Sequence, residues 1–430
     1  MPAVEVRPAR REATLVISVP GDKSISHRAV LMNAIARGTA TVRNLGPGND
    51  VLSSIGCMRQ LGVEIDQAGD GYTISGEGLE GLRESRPPLD CGNSGTTTRL
   101  LAGLLAGQPF TSTLVGDQSL SQRPMDRVAT PLTHMGASVS GDTLPMTIHG
   151  GQLQGIEYHP PIASAQVKSC VLLAALFADS PTTLVERVAT RDHTERLLRA
   201  QGVQLDVDGT AITLHPPEEL RAIDIDVPGD MSSAAFWIVA ALILPGTEVT
   251  VTNVGINVSR TGLLDVLQEM GADMRLTNQR DVGGEPVADI VARSSELRGV
   301  SIGGDIIPRL IDEVPILGVA AMFAQGTTTV RDAAELRVKE SDRIAEVCRG
   351  LSSLGVGVEE LPDGLIIHGG ATRLEPAMLD AHGDHRMAMS WAIAGLRSTG
   401  VCRVEDAQSA SVSYPGFWAE LARFQEASDA

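Results

Sequence analysis

The chain contains a long internal repeat whose two copies differ in charge. Residues 19–39 read VPGDKSISHRAVLMNAIARGT, and residues 227–247 read VPGDMSSAAFWIVAALILPGT, without a gap. The opening Val-Pro-Gly-Asp, one following Ser and the closing Gly-Thr coincide, whereas Lys23 becomes Met231 and Arg28 becomes Phe236. A duplicated scaffold explains what the copies share, so the differences are the better guide to chemistry. The charged copy is therefore a candidate site, and the apolar copy is its structural counterpart.

Length and composition favour two domains of the α/β class. The chain has 430 residues, which exceeds the size at which one hydrophobic core usually suffices. Hydrophobic residues make up 43% of the chain but aromatic residues only 3%, so the core is expected to consist of Ala, Val, Leu and Ile.

A shorter repeat underlies the long one. An apolar helical stretch followed by a small-residue turn and a β-branched strand occurs six times, and a second helix often ends in an apolar residue and Gly, as in RQLGVEI. We find no such second helix near FWAELARF, so the last unit is expected to be truncated. The prediction is two similar inside-out α/β domains, each of three repeated α/β units with buried helices and outer sheets. The expected domains are residues 22–228, and residues 1–21 with 229–430, with the ligand site in the cleft between them.

Charge and cysteine content argue against several classes of protein. A net charge of −18 disfavours nucleic acid as a partner, although a local cluster of cations can still bind small anions. No apolar run resembles a signal peptide or a membrane span, so we expect a cytoplasmic protein with no membrane partner. Five scattered cysteines without CxxC spacing argue against a disulfide framework or a zinc site.

Polar residues occur where the predicted buried helices begin. GDKSISHR at 21–28 supplies a Lys, two Ser and an Arg suited to a phosphate or carboxylate, and the alternative of a capped surface helix is made less attractive by the apolar second copy. DCGNSGTTTRLL at 90–101 offers backbone N–H groups to an anion, but such turns are common. Arg123 precedes Pro124, which can start a helix and hold Arg123 in a loop.

The C-terminal half carries acidic residues beside cations. RVKESDR at 337–343 is most simply a solvated run of charges, but Glu340 and Arg343 would share a face of a helical turn. Asp312 and Glu313 precede one apolar helix, where they are either helix caps or chemical groups, and Arg386 precedes another.

Together, eight segments in order resemble the 5-enolpyruvylshikimate-3-phosphate synthase family: GDKSISHR, GNSGTTTR, RPMDRV, SAQVKS, RDHTE, DEVP, RVKESDR and DHRMAM. The resemblance covers residues 14–425, and the SAQVK and RDHTE forms look like the bacterial class often called glyphosate-tolerant. It implies transfer of the enolpyruvyl group of phosphoenolpyruvate to the 5-hydroxyl of shikimate 3-phosphate, with release of phosphate and without metal or organic cofactor. It also implies an N-terminal domain that mainly binds shikimate 3-phosphate and a C-terminal domain with acid, base and phosphoenolpyruvate-binding residues.

The resemblance also implies the site residues. Shikimate 3-phosphate is expected to bind Lys23, Ser24, Arg28, Ser164, Ala165 through its backbone, Gln166, Asp312 and Lys339. Phosphoenolpyruvate is expected to bind Lys23, Gly95, Arg123, Gln166, Arg343 and Arg386.

The chemistry requires both fixed cations and proton carriers. Asp312 is assigned as base on the 5-hydroxyl, whereas Glu340 and Lys23 handle protonation of the methylene and later deprotonation of the methyl, with their division left open. The expected partners are these two small anions, the expected assembly is a monomer, and the residues leave the response to glyphosate open.

Two departures and two rivals accompany the resemblance. Val412 stands where many members have a Lys, so that phosphate contact is supplied elsewhere or phosphoenolpyruvate binds differently, and Ala165 replaces a Ser. The nearest rival is the enolpyruvyl transferase acting on UDP-N-acetylglucosamine, which uses a loop Cys that GDQSLSQRPM lacks. A scaffold of the same fold that binds anions without catalysis is the rival from another class.

Overall fold

A computed structural model describes residues 3–9, 12–372 and 374–429 of the chain. They form two compact units, each with its own hydrophobic core. The N-terminal unit is Gly21–Val227 with Val282–Gly284, and the C-terminal unit is Met1–Pro20, Pro228–Asp281 and Glu285–Ala430.

The helices are α1 (Lys23–Ala34), α2 (Asn49–Gln60), α3 (Gly95–Ala106), α4 (Asp126–His134), α5 (Ala165–Ala175), α6 (His193–Ala200), α7 (Met231–Ile243), α8 (Gly262–Glu269), α9 (Ile307–Leu310), α10 (Val314–Phe323), α11 (Arg343–Ser353), α12 (His385–Gly395) and α13 (Phe417–Asp429). The strands are β1 (Ala3–Val6), β2 (Thr14–Ser18), β3 (Arg37–Arg43), β4 (Glu64–Ala68), β5 (Gly71–Glu77), β6 (Leu89–Asp90), β7 (Thr111–Val115), β8 (Ser138–Ser140), β9 (Met146–His149), β10 (Glu157–Tyr158), β11 (Thr182–Val185), β12 (Leu205–Asp208), β13 (Ala211–Leu214), β14 (Ile225–Asp226), β15 (Glu248–Gly255), β16 (Asp273–Val282), β17 (Glu285–Arg293), β18 (Ser301–Ile302), β19 (Thr327–Val330), β20 (Gly357–Leu361), β21 (Gly364–His368), β22 (Met378–Asp380) and β23 (Cys402–Glu405).

The expected inside-out arrangement is confirmed in each unit. Helices α1, α3 and α5 of the N-terminal unit, and α7, α10 and α12 of the C-terminal unit, are buried on nearly every side. Many strands alternate buried and exposed residues, as β2 does, because one face of each sheet covers the helices. The sheets of the N-terminal unit have the orders β14-β3-β5-β4, β6-β7-β9-β8 and β10-β11-β13-β12. Those of the C-terminal unit are β16-β17-β15-β2, β18-β19-β21-β20 and β1-β23-β22.

The two copies of the long repeat exchange strands. Strand β2 precedes the first Val-Pro-Gly-Asp but pairs in parallel with β15, which follows the second copy. Strand β14 precedes the second Val-Pro-Gly-Asp but pairs in parallel with β3, which follows the first copy. The strand that follows each copy therefore pairs with the strand that precedes the other copy.

The sixth sheet is smaller than the others, as the predicted truncation implies, but FWAELARF does form a helix, α13. Its sheet has three strands within the described residues, whereas the other five sheets have four. Strand β1, from the start of the chain, pairs antiparallel with β23 at the position that a hairpin strand occupies elsewhere. The N-terminal segment thus completes the last repeat.

The apolar copy of the repeat is part of the core. Met231 and Phe236, which replace Lys23 and Arg28, are each 1% exposed. The Phe236 ring contacts that of Phe417 of α13 with 5.9 Å between centroids. The interpretation of this copy as structural is therefore confirmed for these two positions.

Glycine ends the second helix of each complete repeat, also as predicted. The five glycines have φ between 81° and 109°, in the region that side chains disfavour: Gly62, Gly136, Gly202, Gly271 and Gly355.

None of the described helices has both the length and the apolar character needed to cross a membrane.

Candidate active site

Lys23 is the first residue of α1. The helix begins there because Asp22 caps it, with Asp22 Oδ1 accepting a hydrogen bond from the Ile25 amide at 2.9 Å. Lys23 Nζ lies 2.9 Å from Asp50 Oδ2, in a pair whose side chains are 18% and 8% exposed. The pair joins the start of α1 to the start of α2.

Arg28 lies one turn further along α1 and donates from all three of its nitrogen atoms. Nη1 donates to the Ser24 carbonyl at 2.8 Å, Nη2 to Ser169 Oγ at 2.6 Å, and Nε to Thr194 Oγ1 at 2.7 Å. The guanidinium is thereby fixed between α1, α5 and α6. Ser24 itself is half-buried beside it.

Gly95 is the first residue of α3 and lies against two guanidinium groups. A Cβ atom at Gly95 would be 2.8 Å from Arg99 Nη1 and 3.3 Å from Arg123 Nη1. Arg99 Nη1 donates to Gln166 Oε1 at 2.6 Å, and Gln166 Nε2 donates to Thr96 Oγ1 at 2.9 Å. The start of α3 is therefore lined by cations and by an amide with a fixed orientation.

Arg123 and Ser164 are positioned by local structure. Arg123 follows a short 3₁₀ turn, and its Nη2 donates to Asn93 Oδ1 at 3.2 Å. Ser164 caps α5 and accepts from the Val167 amide, and Ala165 is the first residue of that helix. Both belong to the same unit as Lys23.

His27 is fully buried among these cations and is uncharged at neutral pH. Burial lowers its pKa well below the ordinary value, and the charges of Lys23 and Arg28 lower it further. Its Nδ1 lies 2.8 Å from Ser54 Oγ, which lies 2.8 Å from Thr97 Oγ1. This hydrogen-bonded chain connects α1, α2 and α3.

In the C-terminal unit, Arg343 is the centre of an ionic cluster. Its side chain is 1% exposed and contacts three carboxylates, at 2.8 Å from Asp384 Oδ2, 2.7 Å from Glu340 Oε2 and 3.3 Å from Asp312 Oδ1. Burial lowers the pKa of Arg343, but the three carboxylates outweigh burial and raise it above the usual value. For Asp384 the directions are opposite: burial alone would raise its pKa, but the charge of Arg343 outweighs burial and lowers it.

Asp312 is surrounded by cations. Besides Arg343, Lys339 Nζ lies 3.8 Å from Asp312 Oδ1 and Arg386 Nη2 lies 3.9 Å from Asp312 Oδ2. Burial lowers the pKa of Lys339, and Arg343 adds to the effect while Asp312 opposes it. Asp312 lies in the 3₁₀ turn Ile311–Glu313 that leads into α10.

Arg386 is held at the start of α12, which Asp384 caps by accepting from the Arg386 amide at 2.9 Å. Its Nη1 lies 3.8 Å from Glu313 Oε1. Glu313 also accepts a short hydrogen bond from the Ser232 hydroxyl, in the apolar copy of the repeat. That copy therefore retains one polar contact to the cluster.

The two clusters differ in charge. The cluster of the N-terminal unit has four cations, Lys23, Arg28, Arg99 and Arg123. Lys23 forms an ion pair with Asp50. The cluster of the C-terminal unit has acids and cations in similar number: Asp312, Glu313, Glu340 and Asp384 with Lys339, Arg343 and Arg386. The first is suited to binding anions and the second to transferring protons.

Comparison with known proteins decides the family. The sequence model of EPSP synthase (3-phosphoshikimate 1-carboxyvinyltransferase) matches residues 9–421. The chain belongs to the EPSP synthase family. It is similar to the 3-phosphoshikimate 1-carboxyvinyltransferase of Roseiflexus sp. (strain RS-1), with 53% identity over 96% of each chain, and to that of Herpetosiphon aurantiacus, with 52% identity over 96% of this chain and 97% of the relative.

Solved structures agree with the family. EPSP synthase from Acinetobacter baumannii has a TM-score of 0.87 and 43% identity to this chain, and each chain is covered to 98%. The enolpyruvyl transferase NikO from Streptomyces tendae has a TM-score of 0.79, with 17% identity over 97% of this chain and 96% of that one, which shows the shared fold alone. The predicted family and fold class are both confirmed.

Two local predictions differ from the structure. Glu340 and Arg343 are in contact, but not on a helical face, because Asp342 caps α11 and the helix begins only at Arg343. Helix α4 begins at Asp126 rather than at Pro124, with Met125 as its cap residue.

Sequence reasoning did not single out several residues that contact the predicted site. Arg99 lies within the GNSGTTTR segment, so its charge near a helix start was an available signal. The sequence places Asp384 at a helix start, but not its pairing with Arg343. Asp50 lies in no motif, and only the packing of α1 against α2 shows that it pairs with Lys23.

Proposed function

We propose that this chain transfers the enolpyruvyl group of phosphoenolpyruvate to the 5-hydroxyl of shikimate 3-phosphate and releases phosphate. The observation that carries the proposal is the match to the EPSP synthase family over residues 9–421. The reaction needs cations for two phosphates and a carboxylate, together with groups that donate and accept protons. The two clusters of charged residues supply both kinds of group.

Shikimate 3-phosphate is bound mainly by the N-terminal unit. Its cationic cluster supports this assignment, because Lys23 and Arg28 are held there by short contacts with other residues of the same unit. The proposed ligands are Lys23, Ser24, Arg28, Ser164, Ala165 through its backbone, Gln166, Lys339 and Asp312.

Phosphoenolpyruvate is bound by arginines of both units. Arginine presents paired N–H groups to carboxylate and phosphate oxygens, and those of Arg343 and Arg386 are already oriented by carboxylates. The proposed ligands are Lys23, Gly95, Arg123, Gln166, Arg343 and Arg386.

Asp312 and Glu340 of the C-terminal unit and Lys23 of the N-terminal unit supply the acid and base groups. The oxygen of the 5-hydroxyl attacks the central carbon of phosphoenolpyruvate while Asp312 accepts the proton of that hydroxyl. At the same time an acid protonates the methylene carbon. Loss of phosphate and of one methyl proton then restores the double bond. Glu340 and Lys23 perform the two proton transfers at the methylene carbon. Either Lys23 protonates this carbon and Glu340 later removes a proton from the resulting methyl group, or the two roles are reversed.

The decisive experiment is phosphate release by the purified protein. Phosphoenolpyruvate is supplied with shikimate 3-phosphate in one reaction and with UDP-N-acetylglucosamine in a parallel one. Phosphate release is expected in the reaction with shikimate 3-phosphate and not in the reaction with UDP-N-acetylglucosamine. Release with the UDP-sugar would indicate the sister transferase. No release in either reaction, from a folded protein that binds both substrates, would indicate a scaffold without catalysis.

The proposal includes a cytoplasmic monomer. The five cysteines are all free and buried, which fits a reducing compartment. Sedimentation equilibrium is expected to give a mass near the 45.2 kDa of one chain.

A further inference from the structure

Lysine is rare in this chain, and the three lysines are unusually placed. Of 35 cationic side chains, 32 are arginine, and the lysines are Lys23, Lys168 and Lys339. Two of them belong to the proposed substrate site. Lys168 has no assigned role, and its side chain is only 2% exposed.

Lys168 is the centre of a buried ionic cluster. Its Nζ lies 2.8 Å from Glu195 Oε1, 3.0 Å from Glu186 Oε2 and 3.2 Å from the Thr190 carbonyl oxygen. These three acceptors match the three N–H donors of an ammonium group, a geometry that a planar guanidinium does not reproduce. We call Lys168, Glu186 and Glu195 the Lys168 cluster; it fixes the start of α5 to the start of α6.

The residues adjacent to this cluster hold Arg28. Ser169 follows Lys168 and accepts from Arg28 Nη2, whereas Thr194 precedes Glu195 and accepts from Arg28 Nε. Ser169 Oγ donates its only proton to the Ala165 carbonyl at 2.7 Å, so in the Ser169–Thr194 contact of 2.7 Å Thr194 is the donor. Both hydroxyl protons are thereby used, and both oxygens present lone pairs to the guanidinium.

The internal repeat provides a natural comparison. Helices α5 and α12 have the same length and are capped by Ser164 and Asp384. Counted from these caps, Ala388 stands in place of Lys168 and Met389 in place of Ser169. The C-terminal unit also has Phe236 in place of Arg28. The lysine, the serine and the arginine are thus absent together from the second copy.

We propose that the Lys168 cluster positions Arg28 for shikimate 3-phosphate, so that Lys168, Glu186 and Glu195 are positioning residues of the reaction. The inference rests on the proposed function, because it assumes that Arg28 binds this substrate. The cluster locks α5 to α6, which sets the separation of the Ser169 and Thr194 hydroxyls and hence the plane of the guanidinium. Its formal excess of one negative charge also complements Arg28 in a region from which water is largely excluded.

The test uses the full chain with a neutral form of the cluster. The single variant Lys168→Met would leave two buried carboxylates without a cation and is prone to misfold. The triple variant Lys168→Met, Glu186→Gln, Glu195→Gln keeps the side-chain volumes without the charges. Calorimetric titration with shikimate 3-phosphate is expected to show a dissociation constant raised about tenfold or more, while the KM for phosphoenolpyruvate changes by less than about twofold.

A double-mutant cycle separates positioning from mere stabilisation. In the Arg28→Met background, the triple variant is expected to change the dissociation constant by less than about twofold, because its effect passes through Arg28. Leu184→Ala, which removes a fully buried side chain of β11, is the control for a general loss of stability. It is expected to lower the melting temperature without altering affinity for shikimate 3-phosphate.

The outcomes distinguish the two proposals. A wild-type protein that neither binds nor turns over shikimate 3-phosphate overturns the proposed function. A wild-type protein that binds it, with a folded triple variant of equal affinity, overturns only the positioning role. If the triple variant loses the same affinity for shikimate 3-phosphate with Arg28 as in the Arg28→Met background, the positioning role is also overturned.

Discussion

At the scale of single residues, the repeat itself suggests which side chain to remove. Lys23 lies at the start of α1, and its counterpart Met231 is accommodated in the same position of α7. The backbone at this position therefore tolerates an unbranched apolar side chain. What the second copy lacks is the ammonium group and its contact with an acid.

Lys23→Met is expected to abolish turnover while the protein remains folded. Because Lys23 is proposed both to bind the substrates and to transfer a proton, kcat is expected to fall by about a thousandfold or more. Steady-state phosphate release and circular dichroism measure the two effects. A folded variant with near-normal activity would remove Lys23 from the site.

Gly95→Ala is expected to weaken binding of phosphoenolpyruvate selectively. The new methyl group would lie 2.8 Å from Arg99 Nη1 and displace a guanidinium, so the KM for phosphoenolpyruvate is expected to rise about tenfold. The KM for shikimate 3-phosphate should change little. Gly56→Ala is the matched control, because Gly56 is also helical and no atom outside its own stretch of helix lies within 4 Å of the added Cβ. An equal effect of both changes would contradict the prediction.

At the scale of elements, the proposed site is built from helix starts. Caps such as Asp22, Ser94, Ser164 and Asp384 end the preceding loops and orient the next residues, among them Lys23, Gly95 and Arg386. Asp384 has a second role because it also pairs with Arg343 at the start of α11. One carboxylate thus joins two helices.

Asp384→Asn is expected to destabilise the protein strongly at neutral pH. Asn caps helices well, so the change mainly removes the charge that compensates buried Arg343, at a cost of about 3 kcal/mol. Arg343 lowers the pKa of Asp384 in the folded state, so the contribution of this carboxylate to stability is complete above the unfolded-state pKa and is lost as pH falls from there through the folded-state pKa. Urea unfolding at pH 7 and pH 3.5 is expected to show the difference between variant and wild type shrinking at the lower pH.

Asp342→Asn is the matched control for that measurement. Asp342 also caps a helix and pairs with an arginine, Arg337, but its side chain is 38% exposed. We expect a loss of about 1 kcal/mol or less. Similar losses at both positions would mean that burial of Arg343 does not decide the effect.

At the scale of the whole molecule, each unit has its own core and its own polar cluster. The N-terminal unit consists of the continuous stretch Gly21–Val227 together with only three residues from elsewhere. Its sheets draw all their strands from that stretch. Its stability should therefore depend little on the rest of the chain.

A protein consisting of residues 21–227 is expected to fold and to bind shikimate 3-phosphate more weakly than the full chain. It retains Lys23, Arg28 and Gln166 but lacks Lys339 and Asp312. Calorimetry on this fragment and on its Arg28→Met form measures the effect, and the variant fragment should bind at least about tenfold more weakly. A folded fragment without detectable binding would contradict the assignment of this substrate to the N-terminal unit.

The sequence by itself determined the repeat architecture, the burial of six apolar helices, the glycine helix ends and the truncated last repeat. These features follow from local periodicity and from residues with special backbone preferences, such as Gly271 and Gly355, which act within a few positions along the chain. The motif residues at helix starts were also available from sequence, because capping is local.

Only the tertiary structure decided how residues distant in sequence are paired. It showed that β2 and β14 are exchanged between repeats, that Asp50 pairs with Lys23, and that Lys168 pairs with Glu195. A parallel strand has no local signal for its partner, and a buried charge is compensated by whichever acid the packing of helices brings near it. Such pairings depend on the folded positions of whole elements, which local patterns do not encode.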